Sequence, residues 1–267
     1  MVRKISLIIL LLFIVPLFAH DYWLQPEKFI LAKGETLAVH LYVGDELKVD
    51  IERPLQKNMT PRFELHTPDG IIDLRSLQAD SVQPVVKRAV DFVGPGLLVM
   101  NRDFAFIELT PEQFSDYLRH EGLEEIEALR AKMDKRTKER ERYARFIKSL
   151  IQVDKNNQGE LYNKVVGQKL EIVLLQNPFL VKPGDELTAK ILFEGKPLPD
   201  KSVMALYKNQ QGQVKVFKSI TNKNGVAQFK LTGPGMWVIR LVHLLPCKGC
   251  NDVDWESFWA SYSFWIK

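Results

Sequence analysis

Turn-forming sequences recur about every ten residues from Leu170 to the C terminus, which limits the segments between them to strand length. Asn224-Gly225 is the strongest of these signals, because both residues tolerate the positive φ of a tight hairpin. The predicted strands are Leu170–Leu175, Glu186–Phe193, Ser202–Tyr207, Val214–Thr221, Val226–Leu231, Met236–Leu244 and Ser257–Ile266. This spacing predicts an Ig-like antiparallel β-sandwich over residues 166–267.

The segment 20–109 also has a β pattern. Thr36 to Val43 alternates between apolar and other residues, as expected of a half-buried strand. Pro68-Asp69-Gly70 is a turn signal, and Leu97 to Leu109 is rich in branched and aromatic residues. We therefore expect a second antiparallel β-sandwich domain over residues 20–109.

Between these regions, residues 110–165 have a helical pattern. Thr110 can cap a helix, Pro111 suits its first position, and Gln113 completes a capping box. This helix is predicted to end at Gly122. Two further helices are predicted, at Leu123–Asp134 and Thr137–Gln152. The predicted fold class is therefore mainly β, with two sandwich domains and a helical segment between them.

The charge pattern argues against nucleic acid as a partner. The whole chain has a formal net charge of +4, and both signs alternate through residues 132–148. Interleaved charges favour a solvated helix face, whereas a phosphate-binding face needs uncompensated positive charge.

Residues 1–19 are typical of a secretory signal. Arg3 and Lys4 precede the apolar run Ile5–Val15, and Ala19 is the small residue expected before a cleavage site. The run is shorter than the roughly 20 residues of a spanning helix, and no later run is long enough. We expect cleavage after Ala19, no membrane span in the mature chain, and a periplasmic or secreted location.

Cleavage after Ala19 would make His20 the N-terminal residue, whose α-amino group and Nδ1 could chelate one metal ion together. The candidates to complete the site are Asp21, His40, His66 and His243. His243 is the preferred partner, because it ends a row of inward-facing residues that includes Trp237 and Leu241. The alternatives are an exposed terminal histidine, a core histidine at position 243 and solvated side chains elsewhere.

Cys247 and Cys250 are spaced for a short local loop. In an exported chain we expect them to form a disulfide. The alternative is a thiolate metal site with His243 and Asp252 or Asp254.

The sequence contains no nucleophile elbow, zinc-protease helix, phosphate loop or dinucleotide fingerprint. We therefore expect that the protein is not an enzyme.

Several segments together resemble a family of exported bacterial proteins described as NikM-like nickel-uptake components. The matching segments are 19–26, 117–123, 140–145, 166–172, 177–178, 195–198, 235–243 and 255–257. The resemblance implies a role in nickel or cobalt uptake, with a membrane permease or another envelope protein as partner. Copper suits the same nitrogen donors. The C-terminal segment also resembles transthyretin-like and collagen-adhesin B-type modules, which implies the alternative function of a structural or adaptor module without a metal.

The predicted cleavage has a direct test. When the full chain is expressed with secretion intact, we expect the exported protein to begin at His20, as measured by intact mass and N-terminal sequencing. Ala19→Leu should block processing, because the peptidase needs a small residue before the cut. An exported protein that retains residues 1–19 would contradict the prediction.

Overall fold

The computed structural model describes residues 20–154 and 159–267, so the predicted signal segment lies outside the described residues. The chain is mainly β, as the sequence predicts, and the strands of the described residues form three sheets.

The largest sheet has nine strands and takes them from both predicted sandwich regions. Its spatial order is β14 (Val214–Ile220), β13 (Ser202–Lys208), β16 (Gly235–Pro246), β17 (Trp255–Ile266), β9 (Glu139–Val153), β8 (Gly94–Leu109), β5 (Arg62–Thr67) and β6 (Gly70–Asp73). The short strand β2 (Ile30–Leu31) also pairs with β9. The sheet is mixed, because β17 and β2 run parallel to β9 whereas the other pairs are antiparallel.

A smaller sheet covers part of one face of the large sheet. It contains β1 (Asp21–Pro26), β3 (Thr36–Asp45), β4 (Lys48–Arg53) and β7 (Val86–Ala89). The inward row of β3, which includes Leu37, Val39 and Leu41, packs in one apolar core with Ile147 and Ile151 of β9. Strand β3 is therefore half-buried, as the alternation of its residues predicts.

The third sheet covers the opposite face. It contains β10 (Leu170–Leu174), β11 (Glu186–Phe193), β12 (Lys196–Pro197) and β15 (Val226–Lys230). Its core joins residues such as Ile191 to Phe146 of β9, Trp237 of β16 and Tyr262 of β17. The predicted strands of this half are confirmed, with ends that differ by at most two residues.

The helices within residues 20–154 and 159–267 are α1 (Leu74–Leu77), α2 (Pro111–Glu121) and α3 (Glu124–Arg130), and 3-10 turns occupy Lys57–Met59 and Leu161–Asn163. The predicted capping box is confirmed: Gln113 N donates to Thr110 Oγ1 at 3.2 Å, and Thr110 N donates to Gln113 Oε1 at 2.9 Å. Gly122 ends α2 with a φ of 69°, in the left-handed region that favours glycine. No helix in the described part of the chain is long and apolar enough to cross a membrane.

The predicted third helix, Thr137–Gln152, is wrong, because this segment contains the long strand β9. Both faces of β9 are buried, so apolar residues occupy both and the two-residue period is hidden. The predicted solvated face of 132–148 is also wrong over β9, where Glu139, Glu141, Arg145 and Lys148 are buried.

Lys148 links β9 to the third sheet through a buried ion pair. Lys148 and Glu171 are each 1% exposed, and Lys148 Nζ lies 2.6 Å from Glu171 Oε1. The carboxylate of Glu171 also accepts from the backbone N–H groups of Val166, Gly167 and Gln168. Burial lowers the pKa of Lys148 to about 8, and Glu171 opposes that shift. Each charge of the pair therefore has a counter-charge, and the Glu171 carboxylate also has three backbone hydrogen-bond donors.

We predict that Glu171→Ala destabilises the protein by about 3–5 kcal/mol, because the buried charge of Lys148 loses its counter-charge and three backbone N–H groups lose their acceptor. The measurement is urea unfolding at neutral pH. Glu108→Ala, which removes one partner of the exposed Lys138–Glu108 pair, should change the free energy of unfolding by less than about 1 kcal/mol. Equal losses in the two variants would contradict the role given to the buried pair.

Candidate functional site

His20 lies at the start of the described chain, next to strand β4. Its side chain is 20% exposed, and its Nδ1 lies 3.0 Å from Oδ2 of Asp50. The carbonyl oxygen of His20 accepts a 3.5 Å hydrogen bond from Nη2 of Arg145. His20 is therefore held by contacts with two different sheets rather than projecting freely into solvent.

The β3–β4 hairpin brings Asp50 to this position. The register of the two strands shifts between Val43 and Gly44, so the hairpin is irregular there. A Cβ at Gly44 would lie 1.8 Å from the carbonyl oxygen of Lys48. Only glycine allows this close approach of the two strands, and the hairpin that carries Asp50 depends on it.

Asp21, the next residue, anchors the start of β1 in a buried charge cluster. Nε of Arg240 lies 2.9 Å from Oδ1 of Asp21, and Nη1 of Arg240 donates to Glu121 at the end of α2. Burial raises the pKa of Asp21, and the positive charge of Arg240 opposes this rise. The cluster fixes the backbone beside His20 to β16 and α2.

A cavity of about 90 Å³ lies beside His20. Its polar lining includes Arg53, Asp50, Glu141 and Arg145, and its aromatic lining includes Tyr22, Tyr117, Tyr143 and Trp259. The cavity is thus a small aromatic space with charged groups of both signs.

Arg145 is held among the rings of this cavity. Its guanidinium carbon lies 3.9 Å from the ring centre of Tyr22, 4.5 Å from that of Tyr143 and 5.6 Å from that of Trp259. Such cation–π contacts hold a guanidinium in place while leaving its N–H donors available.

Glu141 is a buried carboxyl group in the same cavity. Its Oε1 accepts from the hydroxyl of Ser257 and, at 3.4 Å, from that of Tyr117. Burial raises the pKa of Glu141 to about 7, although both hydroxyl bonds oppose the rise. Burial also raises the pKa of the Tyr117 hydroxyl well above its ordinary value. Glu141 therefore changes its charge near neutral pH.

The structure does not bring the other predicted histidines to His20. His243 is buried on the opposite face of the large sheet, where its ring lies 4.5 Å from that of Phe193. Burial lowers the pKa of His243 to about 4, so it is neutral near pH 7.

His40 and His66 each contact nearby carboxylates. His40 lies 2.8 Å from Glu52 and 3.2 Å from Glu27, and it is opposite Gln25 in the β1–β3 register, five residues along β1 from His20. His66 lies 2.8 Å from Glu64 on the face that His243 also occupies. These predicted ligands are therefore dispersed over the molecule.

Within residues 20–154 and 159–267, no three His, Cys, Asp or Glu side chains form a group that could hold a metal ion. Cys247 and Cys250 form a disulfide in the turn between β16 and β17, with a Cα–Cα distance of 5.7 Å. In this state neither sulfur is a thiolate.

Asp50, Glu141 and Arg145 were not among the predicted site residues. Glu141 and Arg145 were assigned to a solvated helix, whereas in strand β9 they share one face with Tyr143. The sequence offered no clear signal for this face, because charged and apolar residues occur on both faces of β9. Asp50 had no signal either, because its place opposite His20 depends on the β3–β4 hairpin.

The fold and cavity define a mainly β protein with three packed sheets and a small polar and aromatic cavity beside its first strand. The chain belongs to the family described as "Domain of unknown function (DUF4198)", whose model matches residues 17–244. The comparison with curated proteins finds no match. The family description names no activity, so the nickel-uptake resemblance stays a prediction.

Among solved structures, three matches illustrate the likeness. A tetra-tandem repeat from the extending region of a large adhesion protein is 10% identical, with 93% of this chain and 50% of that chain covered and a TM-score of 0.24. A Salmonella alpha-2-macroglobulin mutant is 10% identical, with 92% of this chain and 15% of that chain covered and a TM-score of 0.23. The D0-D1 domain of intimin is 13% identical, with 91% of this chain and 97% of that chain covered and a TM-score of 0.20. This chain thus spans half or less of the first two structures, and TM-scores this low support no functional inference.

The raised pKa of Glu141 predicts a pH-dependent stability. Because the folded state holds this proton more tightly than the unfolded state, its stabilising effect is complete below the ordinary pKa of 4.5 and is lost as the pH rises through about 7. Glu141→Gln should remove this part of the pH dependence, and at pH 8 it should be more stable than the original protein by up to about 3 kcal/mol.

The measurement is urea unfolding between pH 4.5 and 8. Glu108→Gln, at an exposed position on the neighbouring strand β8, serves as the control and should leave the pH profile unchanged. A Glu141→Gln profile parallel to that of the original protein would show that the Glu141 pKa is not raised.

Proposed function

We propose that this protein is exported to the periplasm or secreted, and that its mature N-terminal His20 binds a transition-metal ion for uptake or handling. The observation that carries the proposal is the 3.0 Å distance from His20 Nδ1 to Asp50 Oδ2. Metal–nitrogen and metal–oxygen bonds are about 2.0–2.2 Å long, so two ligands at right angles around one ion lie about 3 Å apart. The two side chains therefore have the spacing of neighbouring ligands.

The third donor would be the free α-amino group of His20. Because the described residues contain no group of three ligating side chains, a site at His20 depends on this amine. The amine and Nδ1 belong to one residue, so they can chelate the same ion, and Asp50 adds a carboxylate oxygen. The revised donor set contains Asp50 in place of His243.

Two nitrogens and one carboxylate oxygen favour particular metals. Copper and nickel prefer nitrogen and oxygen ligands in square arrangements, and affinity rises from cobalt through nickel to copper. We therefore expect copper to bind most tightly in vitro, followed by nickel and cobalt. The metal carried in the cell would depend on supply and on the envelope protein or permease that receives it.

The proposed site predicts a dependence on the exact N terminus. Protein that begins at His20 should bind copper and nickel with micromolar or tighter dissociation constants, as measured by calorimetry. Protein that retains Ala19 should bind at least 100-fold more weakly, because the main-chain nitrogen of His20 is then a peptide amide instead of a free amine. Asp50→Asn should weaken binding at least tenfold, or by about 1.4 kcal/mol.

His40→Gln is the matched control, because His40 also lies between carboxylates but outside the proposed site. It should bind metal as the unmodified mature protein does. Equal binding with and without Ala19 would exclude the amine as a ligand. No binding in the micromolar range by the mature form would overturn the metal function and leave the structural envelope module as the working hypothesis.

A further inference from the structure

Three arginines gather beside the cavity without a carboxylate partner. Arg102 donates to the neutral oxygens of Thr60 and Gln56, and both Arg102 and Arg145 lie over the ring of Tyr22. Within residues 20–154 and 159–267, no carboxylate oxygen lies within 4.0 Å of the guanidinium nitrogens of Arg53, Arg102 or Arg145. The other buried cations, Lys148 and Arg240, both have such a partner.

This absence of a counter-charge is energetically unfavourable. Arg102 is 7% exposed and Arg145 is 8% exposed, and a buried cation without a partner loses the solvation that it has in water. Burial lowers the pKa of Arg102, and the positive charges of Arg145 and Arg53 lower it further. Nε of Arg53 and Nε of Arg145 have no hydrogen-bond partner in the described part of the chain. An anion in the adjacent cavity would reduce the energetic cost of burying these positive charges and could accept hydrogen bonds from the unpartnered Nε groups.

The cavity indicates which kind of anion fits. Arg53 and Arg145 line it together, and a guanidinium group pairs with a carboxylate through two parallel hydrogen bonds. Ile107, Tyr143 and Trp259 form an apolar wall in the same space. Asp50 and Glu141 add acidic groups, which disfavour a doubly charged anion such as sulfate. A single negative charge attached to a small apolar body matches this lining best.

We propose that the cavity beside His20 binds a small organic carboxylate, with the carboxylate at Arg145 and Arg53 and its apolar body against Tyr143 and Trp259. One water molecule needs about 10–15 Å³ of such space, so the volume of about 90 Å³ limits the enclosed part of the ligand to a small body, about one ring in size. This inference goes beyond the metal function, because it rests on the uncompensated arginines and does not require a free N terminus or a metal ion.

The test uses benzoate as the probe and benzamide as its neutral isostere, with calorimetry in metal-free buffer. We expect benzoate to bind at least tenfold more tightly than benzamide and to raise the unfolding temperature in a concentration-dependent way. Arg145→Gln should weaken benzoate binding at least tenfold. Arg53→Gln, at a half-buried position, should also weaken it and serves as the second variant if Arg145→Gln does not fold.

Arg142→Gln is the matched control. Arg142 lies on the same strand as Arg145 but pairs with Glu256 outside the cavity, so this variant should bind benzoate unchanged. Three results would overturn the proposal: equal affinity for benzoate and benzamide, unchanged benzoate binding in both arginine variants, or sulfate binding more tightly than benzoate. Because no metal is present, a failure of the metal proposal leaves this test unaffected.

Discussion

The structure depends on the burial of strand β9 on both of its faces at the centre of the large sheet. On one face, Phe146 and Leu150 pack against the sheet that contains β10 and β11. On the other face, Ile147 and Ile151 pack beneath the sheet that contains β1 and β3. Because β9 also pairs in parallel with the last strand, β17, it joins the first half of the chain to the second.

The charged residues of β9 explain where the cavity lies. Buried charges on a central strand are costly unless its neighbours supply partners. Lys148 has Glu171, and Glu139 accepts from Arg130 and from the indole of Trp255. Glu141 has only hydroxyl donors, and Arg145 has no carboxylate within ion-pair distance among the described residues. The cavity lies at this incompletely neutralised part of the strand.

Local signals in the sequence predicted much of the fold. Turn residues gave the strands of the second half, and Thr110 with Gln113 gave the start of α2, because these features act over a few neighbouring residues. Such local signals do not distinguish helix from strand over Glu139–Val153. That segment has apolar residues on both faces and charges between them, so its pattern suits a helix as well as a buried strand.

The sequence by itself therefore determined the mainly β class and the strand positions of the second half. The chelating N terminus at His20 stays a prediction. Only the tertiary structure decided that Asp50, not His243, lies next to His20, and that Glu141 and Arg145 line the same cavity. The physical reason is that strand alternation fixes which residues share a face. Which other strand that face meets depends on long-range pairing and on the burial of whole sheets.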